Sequence, residues 1–169
     1  MERPYICEGN KYTISGTNTI GLPVPSPDLP KEIEVEGNKL LLKSIFHVSL
    51  VCINEIIKKY NVSNPGFRDS VLNDFCEFTS QYPVEFLRYT GDFKYCEQDN
   101  LKTVIATCEV SYLRNFFKIL NKKYELALEY PVSHVTLYAH DGKTGIFLID
   151  SKDINDFTKP ISNPTGVNL

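Results

Sequence analysis

His47-Val48-Ser49-Leu50 and His134-Val135-Thr136-Leu137 are almost the same tetrapeptide written twice, about half the chain apart, in a protein with only three histidines. A word repeated in this way marks an internal duplication. Residues 39–52 around the first copy are rich in Leu, Ile, Val and Phe, and residues 132–139 around the second share that character, so both copies read as strands. Successive side chains of a strand face opposite sides. The first copy therefore sends Phe46, Val48 and Leu50 one way and Lys43, Ile45, His47, Ser49 and Val51 the other. The second opposes Val135 and Leu137 to His134, Thr136, Tyr138 and His140. Each strand thus offers an imidazole and a hydroxyl on one face, about 7 Å apart at a rise of about 3.3 Å per residue. Two such strands, each set among helical and strand signals, predict an α+β fold of two-lobed, pseudo-symmetric antiparallel sheets with flanking helices and a central cleft.

Working outward, Ile53, Ile56, Ile57 and Tyr60 form a helical stripe, and Asn64-Pro65-Gly66 breaks the chain before a second stripe of Phe67, Val71, Leu72, Phe75 and Phe78. Val84 to Tyr89 and Leu101 to Val110 read as a strand pair joined by a long loop through Gly91. Ser111 is placed to cap a helix whose apolar face is Leu113, Phe116, Phe117, Leu120 and Tyr124. Thr144 to Ile149 completes a hairpin with 132–139, turned at Asp141-Gly142. Pro23, Pro25, Pro27 and Pro30 make 22–31 an extended loop within a Pro-rich N-terminal extension over 1–38. Residues 150–169, with Pro160 and Pro164, form a C-terminal tail, docked or flexible.

A chain of 169 residues, 42% hydrophobic and 23% charged, suits a single domain over 1–169. Its net charge of -3 gives no bulk positive field for a long nucleic acid, so a nucleic-acid partner is expected to be a nucleotide or short oligonucleotide. No apolar run approaches the roughly 20 residues of a membrane span, and the first residues carry no secretory signal, so the expected setting is cytoplasmic, without membrane, as a monomer. Cys7, Cys52, Cys76, Cys96 and Cys108 are odd in number and form no Cys-x-x-Cys pair, which predicts reduced, buried thiols rather than disulfides or a zinc site.

An imidazole serves as acid or base near neutral pH, and a hydroxyl donates to a phosphate oxygen without adding charge. His47 and His134, with Ser49 and Thr136, are therefore the candidate catalytic and phosphate-binding residues. Lys43 could meet a phosphate from the same face, Tyr138 and His140 could stack on or bond a base, and Arg88 could clamp a phosphate.

At these residues the chain resembles the 2H phosphoesterase superfamily, defined by two His-x-Thr/Ser motifs roughly 80–90 residues apart and represented by RNA 2′,3′-cyclic phosphodiesterases of the 2′–5′ RNA ligase-like type. The likeness covers most of 39–149 and neither end; Ser49 stands where many members carry Thr. It implies a phosphoric diester hydrolase without metal or cofactor, cleaving a 2′,3′-cyclic phosphate, a 2′–5′ linkage or a cyclic oligonucleotide. His47 and His134 would be general acid and base in an order left open, and Ser49 and Thr136 would hold the non-bridging oxygens. The alternative is a module that binds a nucleotide or RNA end without cleaving it. A histidine-ligated metal hydrolase is disfavoured, since no His-Glu-x-x-His spacing is present.

Overall fold

Over residues 4–169, which the computed structural model describes, the chain is α+β, with six strands before the first helix. The first half runs β1 (Tyr5–Ile6), β2 (Tyr12–Ile14), β3 (Thr19–Pro23), β4 (Glu32–Val35), β5 (Asn38–Leu42), β6 (His47–Cys52), α1 (Ile53–Tyr60) and α2 (Phe67–Gln81). The second runs β7 (Phe86–Gln98), β8 (Leu101–Val110), α3 (Leu113–Tyr124), β9 (His134–Ala139), α4 (Ser151–Phe157) and β10 (Thr158–Ile161). All ten strands join one open sheet in the order β1-β2-β3-β6-β9-β8-β7-β10, with every pairing antiparallel; the β4–β5 hairpin attaches to β9 through β5. The strands bearing the repeated word, β6 and β9, are therefore central neighbours.

The helices follow their apolar spacing. α2 buries Phe67, Val71, Phe75 and Thr79, and α3 buries Leu113, Phe116, Phe117 and Leu120. Edge-to-face rings lock them together: Phe75 lies 4.9 Å from Tyr12 and 5.2 Å from Phe116 between centroids. α1 buries Ile53 and Ile56 in the same core and ends where Asn61 takes a left-handed φ of 51° and donates its N–H to Ile57. A smaller cluster on the other side of the sheet joins Cys96 and Ile105 to Ile146, Leu148 and Ile154. No helix among the described residues is long and apolar enough to cross a membrane.

Several expectations are corrected. The strand expected over 39–52 is two strands, because the chain leaves β9 at Leu42↔Tyr138 and rejoins it in a shifted register at Val48↔Val135; the crook Lys43–Phe46 takes up the slack. The expected loop through Gly91 is instead a bulged stretch of the long strand β7, with Gly91 at φ +86°, and the turn to β8 falls at Asp99, φ 55°. Ser111 does not cap α3: its hydroxyl donates to the Pro83 carbonyl and accepts from Glu85 N–H, and Tyr112 holds the cap position. Residues 144–149 form no ladder, and only Ile146, Phe147 and Leu148 alternate inward and outward; both edges of β9 are already occupied, by β8 on one side and by β5 and β6 on the other.

The N-terminal segment expected as an extension is woven into the sheet, with β3 paired along β6, while 24–30 is the irregular loop foreseen within 22–31. The C-terminal segment is docked, α4 leading into β10 on the edge of β7. The thiols are not all reduced: Cys7 and Cys76 are bonded, tying the β1–β2 turn to α2 across a sequence separation of 69, and Cys52, Cys96 and Cys108 are free and buried. Their encounter depends on how the N-terminal strands fold over α2, which cysteine spacing does not encode.

Candidate active site

β6 and β9 meet through the single pair Val48↔Val135, both fully buried in the core. That register sets His47 against Thr136 and Ser49 against His134 on the opposite face, each imidazole beside the other strand's hydroxyl. All four side chains line one cavity of about 120 Å³.

Each word also contains a bulge at its leucine. β3 pairs Gly21 with Ser49 and Ile20 with Val51, skipping Leu50; β8 pairs Ile105 with Thr136 and Val104 with Tyr138, skipping Leu137. A bulge re-aims the side chains after it. Val51 and Tyr138, expected on the site face, are thereby turned into the core. Cys52 is turned toward the cavity, its thiol pushed up to about 12 by burial against the weaker pull of a Thr19 hydrogen bond.

The cavity carries the cations Lys43 and Lys143 and no carboxylate, so it suits an anion although the whole chain is acidic. Lys43 stands at the crook before β6, and its Nζ donates to the Lys143 carbonyl at 2.9 Å. The β2–β3 turn adds the hydroxyls of Ser15 and Thr17, 2.8 Å apart, with Ser15 Oγ also accepting from Thr19 N–H at 3.1 Å.

His134 is only 8% exposed. Burial holds its imidazole below the ordinary histidine value, opposed in part by a 3.1 Å hydrogen bond between Nδ1 and the Val132 carbonyl. A carbonyl only accepts, so in the neutral ring Nδ1 carries the proton and Nε2 keeps the lone pair. His47 is half-buried.

Residues 143–149 form a strap over this face. Asp141 launches it, accepting from the N–H groups of Lys143 (2.8 Å) and Thr144 (2.7 Å) and from the Thr144 hydroxyl; burial pushes its carboxyl up, but these donors, the hydroxyl foremost, outweigh that and hold it well below the usual range. A Cβ on Gly145 would stand 3.7 Å from Thr136 Oγ1 and 3.9 Å from Lys43 Nζ, so the strap's backbone reaches the site itself. Ile146 and Leu148 then pack inward, leaving Phe147 at the cavity wall and 39% exposed.

Three candidates lie elsewhere. Tyr138 is fully buried and its hydroxyl donates to the Pro30 carbonyl. His140 is exposed beyond the end of β9, its backbone N–H bonded to Lys102. Arg88, on β7, forms a two-pronged pair with Glu109, both bonds 2.9 Å, on the exposed surface. Sequence reasoning missed Ser15, Thr17 and the strap; the one signal for the first two was the run Ser15-Gly16-Thr17-Asn18-Thr19. Among the described residues no group of three or more His, Cys, Asp or Glu is placed to hold a metal ion. No model of a known protein family, no curated protein and no solved structure matches the chain.

Proposed function

We propose that the protein is a metal-independent phosphodiesterase of the 2H type, acting on a nucleotide phosphodiester through His47 and His134, and that the halves of the sheet meeting at Val48 and Val135 are its two pseudo-symmetric lobes. The observation that carries this reading is the convergence of both His-x-hydroxyl words on one cavity that is lined by cations and lacks carboxylates. His134 is the base: its Nε2 takes a proton from water or from a ribose hydroxyl, and the resulting oxygen attacks phosphorus. His47, protonated, gives its proton to the ester oxygen as the P–O bond breaks. Ser49, Thr136 and Lys43 donate to the non-bridging oxygens, where fixed donors are worth most as charge builds in the transition state.

The test is product analysis by mass spectrometry, in EDTA, after incubation with 2′,3′-cyclic nucleotides, 2′–5′ and 3′–5′ oligonucleotides, and cyclic di- and trinucleotides. Turnover by wild type and none by the His47→Ala/His134→Ala double variant is the expected result. Equal turnover by both proteins, or none by wild type, overturns it.

A further inference from the structure

A cavity of about 120 Å³ is well below the roughly 300–1,000 Å³ of pockets that enclose a small organic ligand. It admits a phosphate group and leaves no room for the nucleoside attached to it. Directly across Phe147 lies a second, wider groove of about 380 Å³, and Phe147 lines both.

The groove has the chemistry of a base site rather than of a second phosphate site. Its apolar walls are Phe147, Phe157 and Ile149. Its charges are already matched: Lys58 pairs with Glu55 at 2.7 Å, and Lys59 with Asp153 at 3.0 Å. Gln98, half-buried at the end of β7, brings a carboxamide that both donates and accepts, which is what reading the edge of a base requires. Phe147 is also held ready, since its neighbours Ile146 and Leu148 are anchored in the smaller core and fix the backbone between them. A ring presented in this way loses little freedom when a base stacks on it.

We infer that the strap divides one substrate between two subsites: the phosphate lies under it with the histidines, and the nucleobase lies beyond it, stacked on Phe147 with its edge against Gln98. This rests on the phosphodiesterase reading for the identity of the phosphate site, and it adds that the substrate is recognised through a base.

The probe is 2-aminopurine riboside 2′-monophosphate, whose fluorescence is quenched on stacking, titrated into wild type, Phe147→Leu and Gln98→Ala, with circular dichroism confirming that each variant is folded. Quenching is expected with wild type, with the Kd raised about tenfold or more in Phe147→Leu and by a smaller factor in Gln98→Ala. In parallel, the ratio of kcat/KM for a 2′,3′-cyclic nucleotide to that for base-free ribose 2′,3′-cyclic phosphate is expected to fall about tenfold in Phe147→Leu. Quenched binding without turnover of any diester leaves the base site standing and removes the phosphodiesterase reading. Turnover with neither variant altering binding, or with the base-free compound cleaved as well as the nucleotide, overturns the base site and leaves the enzyme. Neither binding nor turnover overturns both.

Discussion

Asp150 is the pin that holds the far end of the strap, and removing it has a cost that can be worked from its contacts. Its carboxylate is nearly buried and has two roles: Oδ1 accepts from Asp153 N–H at 3.1 Å as the N-cap of α4, and Oδ2 pairs with Lys59 at 2.7 Å, tying α4 to α1. Losing an N-cap costs about 1 kcal/mol. The partly buried ion pair is worth about another 1 kcal/mol, kept small because Asp153 remains beside Lys59 as a second acceptor. Asp150→Asn retains a capping oxygen and loses only the charge; Asp150→Ala loses both. For a domain of this size 1 kcal/mol shifts Tm by about 2–4 °C, so Asn should lower Tm by about 2–4 °C and Ala by about 4–8 °C at pH 7. Burial raises the Asp150 carboxyl, but the Lys59 ammonium and the Asp153 amide outweigh it and hold it below the ordinary value. A depressed carboxyl contributes stability above its unfolded value, near 3.9, and loses it as pH falls through the folded value. The gap between wild type and Asp150→Asn should therefore be full at pH 6 and closed at the acid end. Calorimetry across pH checks both points, and an Ala variant no less stable than Asn, or a gap that persists in acid, would refute the reasoning.

Other consequences are open to simpler assays. His47→Ala and His134→Ala should each lower kcat about 10²–10⁴-fold against whichever diester wild type cleaves, with the double variant far less impaired than the two losses multiplied. Thr136→Val, which keeps the shape and loses the donor, should cost about 10²-fold in kcat with little change in urea midpoint. Because burial holds the His134 imidazole below its ordinary value near 6.5, the rising limb of kcat/KM against pH should have its midpoint below 6.5; a midpoint above that value argues against His134 as the base. Reducing the Cys7–Cys76 bond, or replacing both cysteines with serine, should cost about 2–4 kcal/mol in urea unfolding, and an unchanged midpoint would show that the bond contributes nothing to stability.

The helices were legible because each buries a stripe that local spacing determines: Phe67, Val71 and Phe75 lie one turn apart and have only one way to share a core. The shared cavity of the four candidate residues was legible for a related reason, since a strand that buries Val48 or Val135 must turn the residues on either side of it to the other face. Alternation failed one residue further on, at Val51 and Tyr138, where a bulge depends on the partner strand, and neither β3 nor β8 is visible from within the word. The strap was expected as a strand from its apolar residues and the Asp141-Gly142 turn, whereas a strand also needs a vacant edge, and vacancy is a property of the finished sheet. Half of the cavity's charge was hidden as well: Lys43 lay on the legible face, whereas Lys143, a hundred residues on, is brought beside it only by the fold, where its carbonyl accepts from Lys43 Nζ.

The antiparallel contact of Val48 with Val135 relates the two words by a local half-turn, carrying His47 onto His134 and Ser49 onto Thr136. A phosphodiester has the same pattern about phosphorus, with two ester oxygens on one axis and two non-bridging oxygens on the other. A site built only from the two words could run the proposed reaction in either orientation, drawing no distinction between the oxygen that enters and the one that leaves. Direction must come from what breaks the half-turn, and the strap does so, since its backbone at Gly145 lies over one side of the cleft. In the proposed reaction the repeated words would supply the reactivity, and the unrepeated strap its sense.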